Sequence, residues 1–276
     1  MLIRFAHLDR PLLHSQMRLH VLLVLPSTTA SILQRTGGER AMAEAMAAPD
    51  TQREFEKAGY LVMPSACLAD EIAPLRAELD AARSELTKGG YRIWTPATEL
   101  PAALRRWSES RGLQLASRAL PANAKLRCLG GAALVKTPGD LSVGTPFHQD
   151  EAYAAANHGG VASKSRNAGK HVCALWLALS HSDARSGCLR FVPSLGYALL
   201  PHERVSRDEA PSGFKHFLTR GSKAEAHAER DHVSVPVQPG DALVIGGKVV
   251  HGSHAAVDGE RVAFSPLYEW EIDDGV

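Results

Sequence analysis

Val172-Cys173-Ala174-Leu175-Trp176-Leu177-Ala178-Leu179 is an unbroken apolar run, too short for most helices and suited to a strand buried on both faces. Its surroundings have the same character. Leu126-Arg127-Cys128-Leu129 and Ala132-Ala133-Leu134-Val135-Lys136 precede it, and Gly187-Cys188-Leu189-Arg190-Phe191-Val192-Pro193 follows. Further on come Val233-Ser234-Val235-Pro236-Val237, Asp241-Ala242-Leu243-Val244-Ile245 after Pro239-Gly240, Lys248 to His251, and Arg261 to Trp270 joined through Asp258-Gly259. Short apolar segments punctuated by Gly and Pro are the pattern of strands in a sandwich or barrel.

The stretch before Lys125 reads differently. Phe55-Glu56-Lys57-Ala58-Gly59 is a helix end with a Gly cap, and Tyr60-Leu61-Val62-Met63 is a short strand stopped by Pro64. Leu68, Ile72, Leu75, Leu79, Ala82 and Leu86 recur at spacings of four and three, which predicts an amphipathic helix of about five turns. Asp70 and Glu71 fall in its first turn, where the helix dipole favours acids. A second helical region is expected from Pro101 to Leu120, interrupted at Arg111-Gly112. The fold class is therefore mainly β with flanking helices, the helices backing a jelly-roll core.

Within the β region, Thr145-Pro146-Phe147-His148-Gln149-Asp150 carries chemistry. On an extended strand, side chains two apart share a face, so His148 and Asp150 would present an imidazole and a carboxylate side by side. His251, in Val249-Val250-His251-Gly252-Ser253, supplies a second imidazole about a hundred residues later. Two histidines and one carboxylate form the facial triad that leaves three positions open on ferrous iron.

Composition narrows the function classes. At 276 residues the chain can bury one large core. A net charge of +1 gives no footprint for nucleic acid or an anionic membrane. No apolar run reaches bilayer-spanning length, the longest early one being Val21-Leu22-Leu23-Val24-Leu25. Cys67, Cys128, Cys173 and Cys188 are widely spaced, which fits reduced thiols in a cytoplasmic protein better than a disulfide framework. Residues 1–49 show no periodic apolar face and read as a disordered or non-native extension, a presequence or an over-long start with initiation near Met42 or Met46. Residues 50–276 then form the catalytic domain.

Taken together, the motifs resemble the phytanoyl-CoA dioxygenase family of iron(II)- and 2-oxoglutarate-dependent oxygenases. The resemblance rests on Phe55-Glu56-Lys57-Ala58-Gly59-Tyr60, on Lys136-Thr137-Pro138-Gly139 leading to Pro146-Phe147-His148-Gln149-Asp150, and on Trp176-Leu177-Ala178-Leu179. It continues through Gly187-Cys188-Leu189-Arg190-Phe191-Val192-Pro193-Ser194 and His251-Gly252-Ser253-His254 to Arg261. Ser194-Leu195-Gly196 departs from the Gly-Ser-His usual in the family, and Asn157 to Lys170 is a longer polar insertion than expected.

The resemblance implies a double-stranded β-helix, the jelly-roll or cupin-like core, closed by N-terminal helices. It implies Fe(II) on His148, Asp150 and His251, with 2-oxoglutarate and dioxygen as cosubstrates and hydroxylation of a small molecule with release of succinate and CO2. Arg261 suits the far carboxylate of 2-oxoglutarate, because a guanidinium grips a carboxylate with two parallel hydrogen bonds. The Asp258-Gly259 turn is expected to bring Arg261 back beside the strand of His251. Lys136 either reaches cosubstrate or substrate or is a strand-end lysine, and Ser253, two residues past His251, is a cosubstrate contact or an ordinary strand hydroxyl. Trp176 reads as core, and His254, on the opposite strand face from His251, stays outside the triad.

Asn157 to Lys170, with Lys164, Arg166 and Lys170, and the long polar stretch Glu203 to His232 are candidates for a lid, and those bases fit an anionic substrate. The chain is expected to act as a monomer or homodimer. The alternative is a non-catalytic metal- or ligand-binding jelly-roll protein, and a metal hydrolase on the same ligands would not need Arg261.

Overall fold

A computed structural model describes residues 51–86, 90–139, 144–152, 171–206 and 216–273. The predicted strand at Val172 is β4, His171–Ala178, the fourth in a chain order that begins with β1, Tyr60–Met63, β2, Tyr91–Trp94, and β3, Ala124–Lys136. After it come β5, Leu189–Phe191, the hairpin pair β6, His202–Arg204, and β7, His216–Leu218, and β8, Val233–Val235. The last are β9, Ala242–Gly246, β10, His251–Ser253, and β11, Arg261–Ile272.

These strands make a six-stranded sheet in the order β1-β9-β4-β11-β3-β2 and a three-stranded sheet in the order β10-β5-β8. Every pairing is antiparallel, as a jelly roll requires. The burial of β4 on both faces follows. Cys173, Leu175 and Leu177 belong to a core shared with Leu75, Leu79, Leu104 and Leu115 of the helices. Ala174, Trp176 and Ala178 belong to a second core shared with Leu189 and Phe191 of the smaller sheet.

The helices differ in detail from the sequence pattern. The first, α1, runs Ala69–Ala81 and passes into a 3-10 turn at Ala82–Glu85, so it is shorter than the five turns expected. Leu68 is its N-cap and is 64% exposed, outside the apolar stripe, while the Glu71 carboxylate accepts from the Leu68 N–H at 2.9 Å. Arg76 and Arg83 both reach Glu260 (2.8 and 2.7 Å), which ties this helical segment to the start of β11. The second region is α2, Ala102–Trp107, a π turn at Ser108–Gly112, and α3, Leu113–Ser117. Its interruption falls where expected, and the π turn leaves the Ser108 carbonyl to accept the Tyr268 hydroxyl at 2.8 Å.

Two strands predicted around Gly130-Gly131 are one. β3 continues through the glycines because a register shift opposite Leu267/Tyr268 leaves Leu129 without a partner, a bulge that Gly130 accommodates at φ 151°. The Glu203–His232 stretch is largely structured where described, holding β6, β7 and α4, Lys223–Asp231, whose Ser222 cap accepts from the Glu225 N–H. Residues 1–49 and Asn157 to Lys170 lie outside the described residues. Among the described residues no helix is long and apolar enough to cross a membrane.

Candidate active site

His148 is set against His251 by a two-residue bridge, His148 N–H to the His251 carbonyl at 2.8 Å and His251 N–H to the His148 carbonyl at 2.9 Å. The expected extended strand through Asp150 is not what forms. His148 is an isolated bridge residue, and Asp150 opens a helical turn over 150–152. Gln149 supplies the physical reason. Fully buried, its side-chain amide donates to the carbonyls of Ala198 (2.8 Å) and Lys248 (2.5 Å) and accepts from the Leu200 N–H (2.8 Å). Those bonds anchor the motif to its neighbours in place of a strand ladder.

The predicted convergence is nevertheless present. Asp150 Oδ1 lies 3.6 Å from His148 Nε2 and 3.7 Å from His251 Nε2, and the imidazole centroids are 4.4 Å apart. Each Nδ1 faces a backbone carbonyl, Pro146 O at 2.8 Å from His148 and Val249 O at 3.1 Å from His251. A carbonyl only accepts, so each Nδ1 carries the proton and each Nε2 turns a lone pair toward the carboxylate. Burial holds the His148 imidazole well below its ordinary range, which keeps it neutral, and raises the Asp150 carboxyl. Three acceptor atoms within 4.8 Å of one another are a donor set for a cation.

Arg261, Lys136 and Ser253 come together on one side of this set. β10 pairs with β5 and β11 pairs with β3 and β4, so the Asp258-Gly259 turn does not fold Arg261 back along the strand of His251. The connection crosses from the smaller sheet to the larger, and the two residues meet across the space between sheets. Arg261 is 1% exposed, donates from Nη1 to the Gly187 carbonyl at 2.8 Å and places its guanidinium 5.6 Å from the Trp176 ring centroid. Its Nε is buried with no hydrogen-bond partner, and among the described residues no carboxylate pairs with it. Burial lowers the guanidinium from its ordinary value while the neighbouring Tyr91 phenol opposes that.

Lys136 is not a strand-end lysine reaching solvent, being fully buried. Its Nζ donates to Ser253 Oγ and the His254 carbonyl, both at 2.7 Å, and burial, then Arg261 and Arg190, pull it down to about 6. Ser253 Oγ also accepts from the Thr145 N–H at 3.2 Å. His254 points elsewhere, its Nε2 2.7 Å from Ser234 Oγ.

A cavity of about 480 Å³ is lined by His148, Asp150, His251, Ser253 and Arg261 together with Trp176. Trp176, expected as core, is both core and cavity wall. Lys136 stands behind Ser253 and does not line it. Tyr91 and Thr145 were not singled out by their sequence, yet both line the cavity and their hydroxyls are 2.6 Å apart. Tyr91-Arg92-Ile93-Trp94 between Gly90 and Pro96 is the strand signal that points to the first of them.

The sequence matches the model of the phytanoyl-CoA dioxygenase (PhyH) family over residues 55–261. The chain belongs to this family. No curated protein matches it. Among solved structures, the epimerase SnoN in complex with Fe3+, alpha ketoglutarate and nogalamycin RO is 22% identical, with 84% of this chain and 88% of that one covered at a TM-score of 0.61. EvdO2 from Micromonospora carbonacea var. aurantiaca complexed with 2-oxoglutarate is 22% identical over 80% and 90%, TM-score 0.58. HygX from Streptomyces hygroscopicus with nickel, 2-oxoglutarate and hygromycin B is 17% identical over 79% and 86%, TM-score 0.53. At these identities the likeness is one of fold, and it places the chain among jelly rolls of this kind.

Proposed function

We propose that the protein is an Fe(II)- and 2-oxoglutarate-dependent dioxygenase that hydroxylates an unactivated C–H bond of a small molecule. The observation that carries this is one cavity holding both a two-histidine, one-carboxylate donor set and a buried arginine whose Nε has no partner. The donor chemistry fits ferrous iron, since two neutral imidazoles and one carboxylate leave positions open for exchangeable ligands. His148, Asp150 and His251 would hold the metal. When bound, the iron supplies dioxygen activation coupled to decarboxylation of 2-oxoglutarate to succinate and CO2.

The chain's own residues do the positioning. Arg261 takes the far carboxylate of 2-oxoglutarate, and Ser253 and the Tyr91-Thr145 hydroxyl pair lie within the same wall to fix its orientation. Lys136 orients the Ser253 hydroxyl from behind and adds positive potential. The Trp176 ring, its centroid 5.6 Å from the guanidinium carbon, packs beside Arg261 in the same wall. The four cysteines, all free, agree with action in the cytoplasm.

The test is succinate release from 2-oxoglutarate in air, dependent on added ferrous iron and accelerated by compounds from metabolite extracts. A non-catalytic binding protein would bind metal without ever forming succinate, and a hydrolase would prefer zinc and ignore 2-oxoglutarate.

A further inference from the structure

The cavity is larger than its metal and cosubstrate residues, and the remaining wall has a definite chemistry. On β11, alternation puts Arg261, Ala263, Ser265 and Leu267 on one face, opposite Lys136, Leu134, Ala132 and Gly130 of β3. β2 extends the surface with Tyr91 opposite Leu134 and Ile93 opposite Ala132. Charge is confined to the Arg261–Lys136 level. Beyond Tyr91 the wall consists of Ile93, Leu129, Ala132 and Leu267, with the hydroxyls of Thr95 and Ser265.

Of all the described lining residues, the acids and strong bases are Asp150 and Arg261, and both have their partners in the reading above. Arg92, between Tyr91 and Ile93, alternates to the other face, where it reaches Glu85 at 3.2 Å. Ile93 is 50% exposed at this end of the wall, a large apolar side chain left in water. Ala132, opposite Ser265, puts only a methyl group on this part of the wall. Burying an ion against such a surface carries an uncompensated desolvation cost, whereas an apolar body gains by entering it.

We propose that the substrate places an uncharged, hydrophobic ring or chain against the wall of Ile93, Leu129, Ala132 and Leu267, with its polar contacts limited to hydroxyls such as Thr95 and Ser265. This rests on the assignment of Asp150 to metal and Arg261 to cosubstrate. It excludes the charged groups of free amino acids and zwitterionic solutes from the part of the substrate that lies against this wall. The expectation of an anionic substrate drew on Lys164, Arg166 and Lys170, which lie outside the described residues.

The experiment uses two probes of one shape, 2-naphthol and 2-naphthoate, titrated calorimetrically into full-length protein loaded anaerobically with ferrous iron and 2-oxoglutarate. 2-Naphthol is expected to bind at least about tenfold more tightly than 2-naphthoate, because only the anion must shed its hydration without a partner. Ala132→Phe fills the wall and should weaken 2-naphthol about tenfold or more, and Ile93→Asp, at an exposed position that cannot upset the core, should weaken it severalfold. Equal or tighter binding of 2-naphthoate, absence of 2-naphthol binding, or indifference of 2-naphthol to both variants would overturn the proposal. If the protein takes up neither iron nor 2-oxoglutarate, the catalytic reading fails, and 2-naphthol titrated into metal-free wild type, Ala132→Phe and Ile93→Asp still decides the nature of the wall.

Discussion

Arg261 and Lys136 are direct partners in the β11–β3 ladder, and both are buried, at 1% and 0% exposure. Two cations directly opposite on one buried sheet face would repel each other with little screening, and burial with the neighbouring Arg261 instead holds the Lys136 amine low, at about 6. An entering carboxylate meets a guanidinium already held by the Gly187 carbonyl and set beside Trp176, and its charge favours protonation of the neighbouring amine.

That relationship sets the first expectation. Arg261→Gln should leave iron binding intact and weaken 2-oxoglutarate by about 2–5 kcal/mol, the cost of removing the charged partner of a buried carboxylate. Affinity can be read from the visible charge-transfer band of the anaerobic ferrous complex as 2-oxoglutarate is titrated. Unchanged affinity would remove Arg261 from the cosubstrate site.

Lys136 gives the arrangement a pH signature. Burial first, then Arg261 and Arg190, hold its ammonium at about 6 against an ordinary 10.5. Between those values the unfolded chain binds a proton that the native apo protein lacks, so stability of the apo protein should rise with pH across that window. Lys136→Met should flatten the rise in melting temperature. An anion beside Arg261 and Ser253 favours the protonated amine, so 2-oxoglutarate should bind near pH 7 with net proton uptake. Calorimetry in buffers of different ionisation heat measures that uptake, and its persistence in Lys136→Met would exclude the lysine as its source.

Gln149 sits between two of the proposed ligands and is expected to act as a positioning residue. Gln149→Leu keeps the volume but leaves the Ala198 and Lys248 carbonyls and the Leu200 N–H without their amide partner, at about 1–3 kcal/mol for each buried group left unsatisfied. Its melting temperature should fall. A purely structural role would stop there. Because the Lys248 bond ties the His148–Asp150 segment to the approach to His251, iron affinity should fall as well, and Gln149→Glu should restore neither property, since its carboxylate cannot donate to the two carbonyls.

The sequence carried the sheets better than the connections between them. β4 was legible because burial on both faces requires a continuous apolar run, and helices on one side and the smaller sheet on the other provide that burial. His148, Asp150 and His251 were legible as residue types at a spacing. The local form of the His148 segment was not, since the Gln149 amide bonds that replace a strand ladder run to residues about fifty and a hundred positions away. The path of Arg261 was misread for a similar reason. An Asp258-Gly259 turn reports a reversal but not the change of sheet that follows it, and the burial of Arg261 shows only once β11 lies between β3 and β4. Tyr91 lay in a short alternating segment that reveals its importance only when β2 is paired to β3 beside the cavity.

The donor set itself provides the expectation on which the functional reading depends. His148 Nε2, His251 Nε2 and Asp150 Oδ1 converge as lone-pair donors, the imidazoles oriented by the carbonyls of Pro146 and Val249. Asp150→Ala and His251→Ala each remove one ligand, so iron retention on desalting and the charge-transfer band should both be lost while 2-oxoglutarate has no chelated metal to report on. Asp150→Asn preserves shape but not charge and should retain less iron than the wild type, since the site then has no anionic ligand for a divalent cation. Melting temperatures of the metal-free Asp150 variants should stay near that of wild type or rise, because a buried carboxylate without its cation opposes folding. Full iron occupancy in Asp150→Ala would sink the triad, and tight zinc with no succinate formed from the iron-loaded wild type would favour a hydrolase or a binding protein over the dioxygenase.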